Sequence, residues 1–94
     1  MEWYAAKIKF KCEVDDNVHE LNDLYEDSIR IYRAINLDDA LKKSEVVGRD
    51  VEHCYLNEDG NQVKWKFEKV VEVQSTEETD LEDGMEVFST MYRD

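Results

Sequence analysis

Residues 3–14 read WYAAKIKFKCEV, and they alternate without a break. Tyr4, Ala6, Ile8, Phe10, Cys12 and Val14 share one face of an extended chain, while Trp3, Ala5, Lys7, Lys9, Lys11 and Glu13 share the other. A period of two held this long is the signature of a β-strand with one buried face and one wet face.

Around this strand the other elements fall into place. Residues 15–23, DDNVHELND, form a polar acidic connection, and 24–35, LYEDSIRIYRAI, a second strand. There Ile29 and Ile31 alternate with Arg30 and Tyr32, which predicts that the isoleucines face the core and Tyr32 the solvent. The phase blurs at Arg33 and Ala34, where a bulge would re-aim the side chains. So short a connection pairs the two strands as an antiparallel hairpin. Asn36 is a good N-cap, and Asp38 and Asp39 suit the first turn of a helix. Leu37, Ala40, Leu41, Ser44, Val47, Val51, Cys54 and Tyr55 recur at spacings of three and four, predicting a helix of about five turns with one apolar stripe. Gly48 borders that stripe and suits close approach to the sheet, at a cost of about 1 kcal/mol in helix propensity. Asn57–Asn61, NEDGN, then ends the helix, with Gly60 as the turn residue.

Residues 62–74, QVKWKFEKVVEVQ, alternate again, with Val63, Trp65, Phe67, Val71 and Val73 inward, Lys64, Lys66, Glu68 and Glu72 outward, and Lys69 breaking the apolar face. A second acidic connection, STEETDLEDG, leads to a last strand over 85–92, MEVFSTMY. The expectation is one α+β domain over 1–94 in the order β-β-α-β-β: a four-stranded antiparallel sheet, spatial order 2-1-3-4, with one amphipathic helix packed on one face.

Four passages are together similar to a bacterial family, the domain of unknown function numbered 4288: WYAAKIKF, IRIYRAINLDDALKKSE, YLNEDGNQVKWKF and DGMEVFSTMY. The most specific are the N-E-x-G-x-x-V-x-W-K-F block at 57–67 and the D-G-x-E-V-(F/Y)-S ending at 83–89. The resemblance spans nearly the whole chain. It implies a compact bacterial α+β domain and carries over no catalytic residue.

Composition bounds the function. Ninety-four residues hold one small core and leave little depth for a cleft. The absence of proline and the scarcity of glycine favour long regular elements over loops. A net charge of −12 opposes binding of nucleic acid or anionic membranes through the whole surface and favours a basic protein partner. MEWYAAKIKF lacks the basic start and apolar run of a signal peptide, and no stretch is apolar enough to span a membrane. Cys12 and Cys54 lack CxxC spacing and read as two free, buried thiols of a cytoplasmic protein.

Two surfaces are candidates for interaction. The wet sheet face should gather Trp3, Tyr32, Phe88 and Tyr92 with Lys7, Lys9, Lys11, Lys64 and Lys66. Such a face could stack bases, but the bland reading is cross-strand pairing of the lysines with Glu13, Glu26, Glu68, Glu72 and Glu86. Left unpaired, the aromatics would suit a protein partner or a second copy. The other surface is acidic: Asp15, Asp16, Glu20 and Asp23 in the first connection, Glu77, Glu78, Asp80, Glu82 and Asp83 in the second. Its bland reading is solvated loop; its functional reading is a negative surface for a basic partner, the strategy of immunity proteins and phosphate-mimicking inhibitors. Asn57, Asp59 and Asn61 echo a calcium loop without its ligand count, and His53 beside Cys54 points away on a helix. No metal, cofactor or catalytic residue is expected. The chain reads as a non-enzymatic binding protein; the alternative is a small homo-oligomer that assembles through the aromatic sheet face.

Overall fold

In a computed structural model, which describes residues 1–14 and 24–93, strands β1 (Glu2–Val14), β2 (Tyr25–Ala34), β3 (His53–Leu56) and β4 (Gln62–Ser75) form one antiparallel sheet, with helix α1 (Leu37–Asp50) between β2 and β3. The spatial order is β2-β1-β4-β3. The β-β-α-β-β order and the α+β class are those expected from the patterning along the chain. The fourth strand, however, is His53–Leu56, and 85–92 forms no strand.

β1 lies at the centre, and its even-numbered face is the floor of the core: Tyr4, Ala6, Ile8, Phe10, Cys12 and Val14 are all buried. Helix α1 lies against this face with Ala40, Ser44 and Gly48 buried. The Ser44 hydroxyl donates to the Ala40 carbonyl at 2.7 Å, so the buried polar group is satisfied within the helix. Asn36 caps the helix: its side-chain Oδ1 accepts from the Asp39 amide at 2.8 Å, and Asp39 Oδ2 accepts from the Ile35 amide at 3.0 Å. The first bond satisfies a donor that the first turn leaves open, and the second ties the residue before the cap to that turn.

The helix stops at Asp50 with Val51 as its cap, short of Cys54 and Tyr55. Glu52 turns the chain back onto the sheet, where its carboxylate accepts from the Phe67 amide at 2.9 Å. His53 and Tyr55, two apart on one face of β3, stack with ring centroids 6.0 Å apart. The 57–61 turn therefore joins β3 to β4 and does not end the helix. Asn57 Oδ1 accepts from the Asp59 and Asn61 amides, and Gly60 takes a positive φ of 80°. Cys54 sits exposed on this edge strand while Cys12 is buried, so one thiol, not two, is in the core.

The register of β2 reverses its expected faces. Tyr4 pairs with Tyr32 and Lys7 with Ile29, so Ser28, Arg30, Tyr32 and Ala34 lie on the helix side and Ile29 and Ile31 point outward, 51% and 39% exposed. No bulge intervenes. Ala34, fully buried, packs with Tyr4 and Ala40 where β2 turns into the helix, and this contact fixes the phase of the strand. In β4 the phase does break. Two register shifts against β1 leave Glu68 and Val71 unpaired, which sets Lys69 opposite Lys9 on the outer face while Phe67 and Val70 stay opposite Phe10 and Ile8.

Candidate functional site

The outer face of the sheet is built by the odd residues of β1 and their partners. Lys7, Lys9 and Lys11 are half-buried along its middle, opposite Glu72, Lys69 and Lys66, with Lys64 opposite Glu13. Like charges directly across a ladder repel, and Lys9–Lys69 and Lys11–Lys66 are two such pairs. They are relieved diagonally: Lys66 reaches Glu13 at 3.4 Å and Lys9 reaches Glu68 at 3.8 Å. Two of the five expected acids thus form ion pairs and Glu72 stands opposite Lys7. Glu26 belongs to the other face, opposite Phe10.

The aromatics serve the cations. Lys7 lies over the Phe88 ring at 5.2 Å, Lys9 over Tyr25 at 4.3 Å, and Arg33 over Trp3 at 5.0 Å, each contact worth roughly 0.5–1 kcal/mol at an exposed site. The segment carrying Phe88 crosses the outer face without pairing as a strand, and Gln74 Nε2 donates to the Ser89 carbonyl at 2.8 Å. The expected aromatic face is therefore not assembled. Trp3 and Phe88 lie on it, each against a cation. Tyr32 is on the opposite side, packed on Ala6, Ile8 and Phe10, where burial pushes its hydroxyl pKa to about 12. Tyr92 is 87% exposed. The correct face of Tyr32 was signalled by Ala34, the small residue two positions on that meets the helix.

The second acidic connection has a defined anchor. The Trp3 amide donates to the Glu78 carbonyl at 2.8 Å, and the Trp3 carbonyl accepts from the Thr76 amide at 2.9 Å and from the Thr76 hydroxyl at 2.8 Å. Ser75 Oγ accepts from the Glu77 amide at 2.9 Å. Glu77 itself has φ 63°, the left-handed region that favours glycine. A turn follows in which the Met85 amide donates to the Glu82 carbonyl and Gly84 has φ 80°. Glu77, Glu78, Asp80, Glu82, Asp83 and Glu86 are all exposed along this path. Asp15, Asp16, Glu20 and Asp23 lie outside the described residues.

Shallow hollows flank the helix, one lined by Tyr32, Lys43, Val46 and Val47 and another by Leu37, Leu41 and Val70–Val73. Among the described residues no three His, Cys, Asp or Glu side chains gather in reach of one ion, and no helix is long and apolar enough to cross a membrane. Burial alone pushes the Cys12 thiol pKa up, which keeps it protonated.

No curated protein and no solved structure matches the chain. The family model described as "Domain of unknown function (DUF4288)" matches it over residues 3–89, taking in the central strand, the capped helix, the NEDGN turn and the anchored acidic loop, and the chain belongs to that family.

Proposed function

We propose that this chain is a non-enzymatic binding protein of the bacterial cytoplasm that covers a basic protein partner with the acidic loop 77–86, as immunity and inhibitor proteins do. The observation that carries the reading is how the loop is held. A merely solvated connection has no need of three hydrogen bonds to the backbone of one tryptophan, or of a glutamate kept at a left-handed φ. Such strain costs on the order of 1 kcal/mol and concentrates where a surface is shaped for a purpose. A fixed loop also loses less entropy on docking than a free one, and its exposed carboxylates would steer a basic partner and speed association.

The outer sheet face supports this reading by default. Lys7, Lys9 and Lys66 of that face are engaged with Phe88, Tyr25, Glu68 and Glu13, whereas Glu77, Glu78, Asp80, Glu82, Asp83 and Glu86 form no ion pair among the described residues. The test is affinity capture from a lysate of the source organism at low and at high salt. A basic protein retained at low salt and released at high salt is expected. Retention of no salt-sensitive partner sinks the proposal.

A further inference from the structure

The open edges of the sheet are not treated alike. β3, at one side, is only four residues long. The edge of β4 beyond β3 is interrupted by the two register shifts, and the Glu52 carboxylate occupies its Phe67 amide. These are ordinary ways of keeping an edge from pairing with another chain. On β2 only the last outward group, the Arg33 carbonyl, is occupied in this way among the described residues. The ten residues of this strand pair with β1 without a shift, from Glu2–Ala34 to Lys11–Tyr25, and they include no proline and no lysine.

The peptide groups at this edge can be assigned. The Cys12 amide donates to the Leu24 carbonyl at 2.9 Å, so even-numbered residues of β2 turn their N–H and C=O toward β1 and odd-numbered ones turn theirs outward. The outward set belongs to Tyr25, Asp27, Ile29, Ile31 and Arg33. Only the Arg33 carbonyl has a partner among the described residues, Lys43 Nζ at 2.7 Å. The side chains of Ile29 and Ile31, on the outer face, are 51% and 39% exposed.

The geometry points to a second copy of this chain as the occupant of this edge, its β2 paired antiparallel with the first about a two-fold axis at Ile29. The charge pattern selects the copy over other partners. β2 is acidic in its first half (Glu26, Asp27) and basic in its second (Arg30, Arg33), so it is complementary to its own reverse. With Ile29 opposite Ile29, every residue from Tyr25 to Arg33 finds a counterpart. Asp27 then lies diagonal to Arg33 of the second copy, Glu26 diagonal to its Arg30, and Tyr25 faces its Arg33. Centring the axis at Arg30 would set that cation against itself. Glu26 of the second copy also arrives opposite Tyr32, whose hydroxyl is buried without a hydrogen-bond partner among the described residues. The two four-stranded sheets become one continuous sheet, and the acidic loops, anchored at Trp3, stay free on each copy. One strand per copy is a small interface, so the dissociation constant should be on the order of micromolar or weaker.

The test is light scattering of the whole chain over a concentration series. A mass rising toward twice 11.2 kDa is expected. Ile29→Pro removes an amide that points away from β1, so it spares the β1–β2 ladder; it should leave the circular dichroism unchanged and weaken dimerisation about a hundredfold or more. Asp27→Arg should weaken it about tenfold, and adding Arg33→Asp should restore it. A wild-type monomer throughout the series overturns the inference, as does a dimer whose affinity survives Ile29→Pro. If Ile29→Pro fails to fold, an unchanged dissociation constant in Asp27→Arg overturns it instead. Neither result bears on capture of a basic partner by the loop, so the two proposals fail separately.

Discussion

At the scale of single residues, the contacts that organise the molecule are between neighbours in sequence or in register, and most are legible in advance. Asn36 was readable as an N-cap, and Asp38 and Asp39 as first-turn acids that the helix dipole favours. Asp39 carries a consequence for stability. The Ile35 amide lowers its pKa below the ordinary 3.8; desolvation opposes this, and Lys43 and Lys42 lower it further. A carboxyl whose folded value lies below its unfolded value contributes stability that is present above the unfolded value and lost as pH falls through the folded one. Denaturant midpoints of the wild type and Asp39→Asn should therefore differ at neutral pH and converge below roughly pH 4. A gap that persists unchanged into strong acid contradicts this assignment. Glu77 was not legible, because nothing in the letters TEET says which residue will take a left-handed φ.

Gly48 is where one residue governs the meeting of two elements. A Cβ built there would stand 2.7 Å from Phe67 Cε1, too close without moving the ring or the helix. Gly48→Ala gains helix propensity, yet overpacking against Phe67 should make it a net loss of about 1–2 kcal/mol in chemical denaturation. The sequence showed that the glycine faced the sheet but could not identify Phe67 as the side chain above it. The end of the same helix was misread because Cys54 and Tyr55 fit helical spacing as well as a short strand. What decided between them was tertiary: Glu52 bonding the Phe67 amide, and the Asn57 side chain closing a hairpin. Cys54 provides the check. A thiol reagent should modify it in the folded protein within minutes, while Cys12 reacts only on unfolding. Equal protection of both would return Cys54 to a helix. In β2 the isoleucines misled for a similar reason. Hydrophobicity marks a face as apolar but does not say whether protein will cover it, and here the small Ala34 fixed the phase while Ile29 and Ile31 were left outside.

At the scale of the whole molecule, one sheet, one helix and a tail give a radius of gyration of 16.2 Å, against about 12 Å for a well-rounded domain of this length. The surplus is surface: an open β2 edge and an outer face bridged only in part by the 85–89 segment. The sheet class, the central strand and the lysine rows could be read from alternation alone. The separation of the aromatics could not, since it depends on register across three strands. What remains is a molecule whose net charge of −12 is distributed unevenly, with Lys7, Lys9 and Lys66 held by partners on the sheet and a run of exposed carboxylates displayed on a loop tied to Trp3. The most direct test of that account compares the wild type with a variant in which Glu77, Glu78, Asp80, Glu82 and Asp83 are changed to Gln or Asn. Both are used to capture partners from a lysate of the source organism at low salt. The account predicts a basic protein retained by the wild type and lost by the variant, with the circular dichroism of the two unchanged; equal retention by both would contradict it.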